Sequence, residues 1–224
     1  MSKIFRQRTS ESPDIDMVWQ VSCIDKSTFI APALGNIELV ITRHTDYTHL
    51  SIWGGSEFAT SIICPAHAKI LGIRLHMSIN IQKIKPQNLV NRHILLPSVN
   101  ANSFELDGTW KFPELDDAED FIEELFKYGY LMRNSVVEAV LEGCTTDLST
   151  RSIQRHFQKT VGIPQRTLYQ IERAYRAVEL LKNGYSILDT VHEIGYFDQP
   201  HLTRCLKLFI GQTPAKIVSQ NTMT

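Results

Sequence analysis

Two short stretches carry side chains suited to reading base pairs. The first, Leu148–Gly162 (LSTRSIQRHFQKTVG), sets Arg151, Gln154, Arg155 and Lys159 between the apolar residues Ile153, Phe157 and Val161. The second, Gly195–Pro214 (GYFDQPHLTRCLKLFIGQTP), sets Gln199, His201, Thr203, Arg204 and Lys207 among Leu202, Leu206 and Phe209. Arginine and glutamine can each make two hydrogen bonds at once to a base edge in a major groove. The apolar residues recur at helical spacing. Ser149 opens the first helix as a cap, and Asp198 with Pro200 close behind opens the second. Two short helices with such faces, each following another helix and a turn, spell a duplicated helix-turn-helix.

The neighbouring elements must hold those faces in place. After Gly162, Pro164 opens a long helix to Asn183, closed by Gly184, with Leu168, Ile171, Ala174, Tyr175, Val178 and Leu181 as its apolar stripe. This helix connects the two readers and fixes their relative orientation. Ser186 caps Ile187–Ile194, with Asp189 as its capping-box-like partner. Thr213–Val218 reads as a short buttress, and the last six residues as frayed ends. Before the first reader, Asn134 or Ser135 caps Val136–Glu142.

The order of these features resembles the DNA-binding domain of the AraC/XylS family of transcriptional regulators. The resemblance rests on S-x-R-x-x-Q-R-x-F at Ser149–Phe157, the Gly162 break and Arg176-Ala177-Val178-Glu179-Leu180-Leu181. It continues through Gly195-Tyr196, Leu202-Thr203-Arg204 and Gly211-Gln212-Thr213-Pro214. It implies base contacts from Arg151, Gln154 and Arg155 on the first helix, and from Gln199, His201, Thr203 and Arg204 on the second. Arg155 and Arg204 are the leading candidates for guanine, with a helix-surface salt bridge as the alternative for each. Ser149, Lys159, Arg166 and Lys207 would hold phosphates and set register. The chain departs from the family twice. Pro200 stands where a polar residue is common, and the usual alanine-rich positioning helix of the first reader is replaced by Val136–Glu142 with an altered turn.

Composition is compatible with this reading. The hydrophobic fraction is 43% and the charged fraction 21%, ordinary values for a globular protein. No run reaches the ~18 apolar residues of a membrane span. Met1–Asp16 is polar and lacks the apolar core of a signal peptide, so a cytoplasmic protein is expected. Cys23, Cys64, Cys144 and Cys205 form no C-x-x-C pair, and reduced, mostly buried thiols are expected. The net charge of -1 divides unevenly: from Leu131 onward there are 11 Lys and Arg against 8 Asp and Glu, while the rest of the chain is acidic.

The front half has the texture of short strands. Ile37, Leu39 and Ile41 alternate with Glu38, Val40 and Thr42, and Leu50–Ile52, Ser61–Ile63 and Ile70–Leu75 follow, punctuated by Pro32, Gly35-Asn36, Gly54-Gly55, Pro65 and Pro86. Residues 1 to about 15 read as mobile; the stretch Ser78–Leu89 fits strand or helix. Seven acidic residues lie between Glu114 and Glu124, where Leu115, Phe121, Ile122, Leu125 and Phe126 keep helical spacing. The expected fold is therefore α+β: a small β-rich, partial-barrel or cupin-like domain over 1–112, a linker helix over 113–133, and an all-α domain with two helix-turn-helix motifs over 134–224. Pro32–Val40 and Leu71-Gly72-Ile73-Arg74 resemble the front domain of a short subgroup of AraC-like regulators.

That resemblance implies effector sensing by the front domain. Trp53, His44, Arg74 and His76, with His49, are the candidate ligand-binding residues. The scattered histidines lack an acidic partner, so neither a metal nor another cofactor is expected. Duplex DNA is the principal partner, with RNA polymerase, a small-molecule effector and a second copy of the chain as further ones. Two other classes stay open. A small-barrel enzyme would need an H-x-H pair with a downstream Glu, a nucleophile elbow or a phosphate loop, none of which is present. A DNA-binding adaptor whose front half only dimerises cannot be separated from a sensor by sequence.

Overall fold

The alternating strand around Leu39 becomes the middle of a sheet buried on both faces. In the computed structural model, which describes residues 3–221, the front half contains β1 (Lys3–Arg8), β2 (Ile15–Cys23), β3 (Ser27–Ala31), β4 (Glu38–Arg43), β5 (Thr48–Trp53), β6 (Thr60–Cys64), β7 (Lys69–Leu75) and β8 (Ile79–Ile81). There follow β9 (His93–Leu96), β10 (Ser98–Asn100), β11 (Ser103–Glu105), β12 (Thr109–Lys111), helix α1 (Ala118–Lys127) and β13 (Leu131–Arg133). A six-stranded antiparallel sheet runs β1-β2-β7-β4-β5-β9. On one face, Val18, Ile73, Leu39 and Ile52 form a row across four strands and pack on Phe104, Phe121, Ile122 and Leu125. This is the larger core, and period-two alternation is what delivers it.

The opposite face is covered by a separate two-stranded ribbon of β3 and β6. An isolated ribbon is marginal in water and needs anchoring. One anchor is a disulfide between Cys23 at the end of β2 and Cys64 at the end of β6, with 6.4 Å between the Cα atoms. The expectation of reduced thiols is thus corrected for this pair, while Cys144 and Cys205 are free. The two residues are 41 positions apart, and only the packing of ribbon on sheet brings them together.

Three further expectations change. The polar N-terminal stretch is largely ordered: from Lys3 it forms the edge strand β1 on β2, and only residues 1–2 lie outside the described residues. Arg8 makes two hydrogen bonds to Glu119 (2.6 and 2.7 Å) and one to the Leu115 carbonyl, and the Ser10 hydroxyl donates to Glu119 at 2.6 Å. Polarity correctly signalled exposure, but backbone pairing at an edge is invisible to it. The acidic segment 113–133, expected as a linker helix, packs on the front core. A 3-10 turn (Leu115–Asp117) leads into α1, whose Phe121, Ile122 and Leu125 belong to the front core, and β13 pairs with β8. The ambiguous stretch Ser78–Leu89 divides into β8 and a 3-10 turn at Pro86–Asn88.

The rest is helical: α2 (Ser135–Leu141), α3 (Thr150–Thr160), α4 (Gln165–Lys182), α5 (Ile187–Ile194), α6 (Gln199–Phe209) and α7 (Pro214–Asn221). Of the six residues expected to fray, 219–221 continue α7 and 222–224 lie outside the described residues. Among the described residues no helix is long and apolar enough to cross a membrane.

The Arg8 guanidinium and the Ser10 hydroxyl hold the Glu119 carboxyl at about 2, well below its ordinary 4.5. A carboxyl depressed in the folded state stabilises it above the unfolded pKa and loses that contribution as pH falls toward the folded one. We therefore expect the stability advantage of wild type over Glu119→Gln, followed by circular dichroism in urea, to shrink between about pH 4.5 and pH 2. An advantage constant across that window would contradict the assignment.

Candidate nucleic-acid interface

The first reader is built by α2 and α3. The Asn134 side chain accepts from the amides of Val136 and Val137 (3.2 and 3.4 Å) and so caps α2. Its amide nitrogen also donates to the Thr160 hydroxyl at 2.8 Å, which ties the start of α2 to the end of α3. Ser149 caps α3 by accepting from Ser152 N–H at 3.3 Å. Val137, Phe157, Val161 and Ile163 form the buried seam. Opposite that seam, Arg151, Gln154, Arg155 and Lys159 are exposed, and none has a partner among the described residues. The helix α2 ends by Gly143, whose φ is +75°, and an irregular segment leads to Ser149.

The second reader is built by α5 and α6. Ser186 caps α5 by accepting from Asp189 N–H at 3.1 Å, and Gly195 ends it in the left-handed conformation. Arg173 of α4 donates to the carbonyl of Gly195 at 2.9 Å and lies over the ring of buried Tyr196, 4.4 Å from the centroid. It is therefore occupied in holding the turn, and pairs with neither Glu172 nor Glu179. Asp198 caps α6 by accepting from His201 N–H at 2.7 Å. His201 Nδ1 accepts from Phe197 N–H (3.4 Å), and its ring stands edge-on to Tyr196. Gln199, Arg204 and Lys207 are exposed, and Thr203 is half-buried. Pro200, Thr203, Arg204 and Lys207 share one face by helical spacing. Arg166 is exposed at the start of α4.

Both readers are bolted to the front domain by the C-terminal ends of their second helices. The last carbonyls of a helix lack partners within it. In α6 these are supplied by the loops flanking the ribbon: Ala33 N–H donates to Phe209 O and Ala59 N–H to Leu208 O, each at 2.7 Å. In α3, the Gln87 side chain donates to Gln158 O. Gly162 follows at φ +82°, where a Cβ would sit 2.8 Å from the Pro86 carbonyl carbon, so glycine is required there for conformation and for space. Tyr175 of α4 donates to Ala33 O at 3.2 Å, and burial pushes its hydroxyl up to about 12.

The ribbon-covered face of the sheet holds the internal space. Register places Met17, Arg74, Glu38, Trp53 and His93 in one row across β2, β7, β4, β5 and β9. Glu38 accepts from Arg74 Nε at 2.9 Å and from Trp19 Nε1 at 3.2 Å. A cavity of about 430 Å³ is lined by Trp19, Phe29, Glu38, Arg74 and Tyr175. A neighbouring one of about 380 Å³ shares Trp19, Phe29 and Glu38 and adds Trp53 and His49. Burial, and then the nearby His93, lower the His49 pKa. Of the ligand candidates, Trp53 and Arg74 are thus brought together on either side of Glu38. His44 lies in the β4–β5 turn, stacked on Tyr47 beside Asp46, and His76 bonds Ser78 at 2.7 Å; neither lines these cavities. Sequence reasoning missed Glu38, Trp19, Phe29 and Tyr175. A charged residue inside the otherwise apolar run Ile37–Ile41 was the available signal for Glu38. Among the described residues no group of three His, Cys, Asp or Glu is placed to hold a metal.

A family model for a helix-turn-helix domain matches residues 145–220, from the approach to α3 into α7. Residues 145–220 are an AraC-type helix-turn-helix domain. The match begins after α2, so the atypical first helix of the first reader lies outside it. No curated protein matches the sequence. Among solved structures, the chain is similar to ToxT from Vibrio cholerae O395, at 11% identity and a TM-score of 0.44, with 98% of this chain and 99% of that one covered. It is likewise similar to an unsaturated-fatty-acid-bound ToxT from strain SCE256, at 12% identity, a TM-score of 0.42, and 98% and 96% coverage. Similarity at this level says nothing of a shared ligand or target.

The position of the AraC-type domain depends on the ribbon side of the sheet, and that side depends on Gly72. A Cβ at Gly72 would collide with the Trp19 indole, which lies across it and reaches Glu38. We expect Gly72→Ala to destabilise the protein by about 1–3 kcal/mol, the usual cost of overpacking. Urea unfolding at neutral pH measures it; an unchanged midpoint would show that Trp19 has another seat.

Proposed function

We propose that the chain is a sequence-specific DNA-binding transcriptional regulator that reads two adjacent major-groove segments. One observation carries this reading. Two capped helices of one AraC-type domain each present an exposed strip whose arginines have no hydrogen bond or ion pair among the described residues, and one body holds both. Unpaired exposed guanidinium groups at the N-terminal half of a recognition helix are what base-edge readout needs. In this reading Arg151, Gln154 and Arg155 serve the first segment, and Gln199, Thr203 and Arg204 the second. His201, with Nδ1 engaged by the turn, has Nε2 for a base. Ser149, Lys159, Arg166 and Lys207 contact phosphates, a term that makes affinity fall with salt. A protein with this task works where the duplex is, in the cytoplasm.

The front domain is read as the regulatory module. A ligand in the space between ribbon and sheet, touching Arg74 in the larger cavity or Trp53 in its neighbour, would shift the loops that hold α6. Ala33 both accepts from Tyr175 and donates to Phe209 O, so it links cavity wall, connecting helix and recognition helix. His44 and His76, away from the cavities, would act only indirectly. Contact with RNA polymerase and self-association belong to the same proposal.

The test is selection of bound duplexes from a random pool, with wild type beside Arg155→Ala and Arg204→Ala. Wild type should enrich two short boxes about one helical turn, ~34 Å, apart. Each variant should relax one box, at a cost of roughly 1–3 kcal/mol in discrimination. Uniform weakening by both variants, with the boxes kept, would make these arginines phosphate contacts and sink the base-reading assignment.

A further inference from the structure

Among the described residues Phe197 is the most exposed large apolar side chain, at 90% of its full area. Asp198, the cap of α6, has extended dihedrals, and the chain bends at Phe197 and Asp198 between α5 and α6. Tyr196 turns inward and is 5% exposed; Phe197 turns out. Its backbone is fixed all the same, because its N–H is held by His201. A phenyl ring displayed on a pinned backbone costs solubility and adds nothing to the core. Its position says what covers it. The far end of α6 is closed by Ala33 and Ala59 of the front domain, which leaves the side and the N-terminal end of the helix open. Phe197 stands at that open end, three residues before Pro200, at the head of the face that continues through Thr203, Arg204 and Lys207.

We infer that Phe197 is a specificity-determining residue, packing its ring on the 5-methyl group of a thymine at the edge of the second DNA box. This rests on α6 being a base reader. The chemistry follows from the groove: the only apolar feature a base pair shows on the major-groove side is the thymine methyl, and phenylalanine is among the side chains that contact it. It also accounts for the departure at Pro200. Pro200 has no backbone N–H and an apolar ring, so the first turn of α6 offers an apolar lip, Phe197 and Pro200, ahead of the polar positions.

The experiment takes the site enriched by the full-length wild-type protein and replaces each thymine of the second box, one at a time, with deoxyuridine, which lacks only the methyl group. Affinities are measured for wild type, Phe197→Ala and Phe197→Leu. One deoxyuridine position should weaken wild type about fourfold, the effect expected of one methyl group removed from a buried contact. Phe197→Ala should be weaker on the thymine site and indifferent to that replacement, while Phe197→Leu should keep part of the sensitivity. If no position affects wild type, or if Phe197→Ala responds as wild type does, the assignment is overturned. Equal weakening of Phe197→Ala on every sequence would instead make the ring a wedge between base steps, which also overturns it. Failure of wild type to enrich any site would overturn the base-reading of α6 itself, a result distinct from the others.

Discussion

The constraint on which the rest of this structure depends is the need to satisfy the last carbonyls of α3 and α6. A free helix-turn-helix leaves those groups to water. Here the front domain meets them, with Ala33 and Ala59 at α6 and Gln87 at α3. Each such hydrogen bond is worth on the order of 1 kcal/mol, modest beside the burial around it. Its value is geometric. Two helix-turn-helix units that share one support keep a fixed separation and angle, which the proposed reading of two successive turns of a duplex requires. The connecting helix α4 cannot do it alone, since it fixes one reader against the other only where they pack on it, through Ile171, Ala174, Ala177 and Leu181.

The support is itself layered so that a change on one side can reach the readers. The larger core lies on the far face of the sheet and is sealed by aromatic rings and α1. The near face carries the polar row of Arg74, Glu38 and Trp53 beneath a two-stranded ribbon. That ribbon is held at one end by Cys23–Cys64, and its other end leads directly into the loops with Ala33 and Ala59. The packed far face and the hollow near face put the internal space on the side that touches α4 and α6. Trp19, seated across Gly72, is the pillar between them.

Much of this was legible in the residues. The caps Ser149, Ser186 and Asp198, the breaks at Gly162 and Gly195, and the exposed strips of both recognition helices follow from local rules, and local rules survive folding when a helix lies at the surface. The sheet was legible only as texture. Strand order, register and the row through Glu38 depend on pairings between positions far apart, which alternation along one strand cannot specify. The same limit explains the cysteine pair, the edge strand from Lys3, and α1, whose acidic outer face concealed that Phe121, Ile122 and Leu125 belong to the front core. His44 and His76 were chosen for their chemistry, but a side chain's chemistry does not say which face of a sheet or turn it occupies.

Arg173 shows how the two kinds of information meet. From sequence it is one more cation on a helix with Glu172 and Glu179 nearby, the natural example of a surface ion pair. In the structure its guanidinium lies over Tyr196 and donates to the carbonyls of Ile194 and Gly195, at the turn that aims α6. A guanidinium can do this because it stacks and donates in one plane, and an ammonium would not replace it. Its positive charge is spent on holding the turn that leads into α6, while Arg155 and Arg204, with no hydrogen bond or ion pair among the described residues, are left facing outward. Partner availability, more than charge or sequence position, is therefore what separates the arginine that builds this turn from those left exposed on the helices.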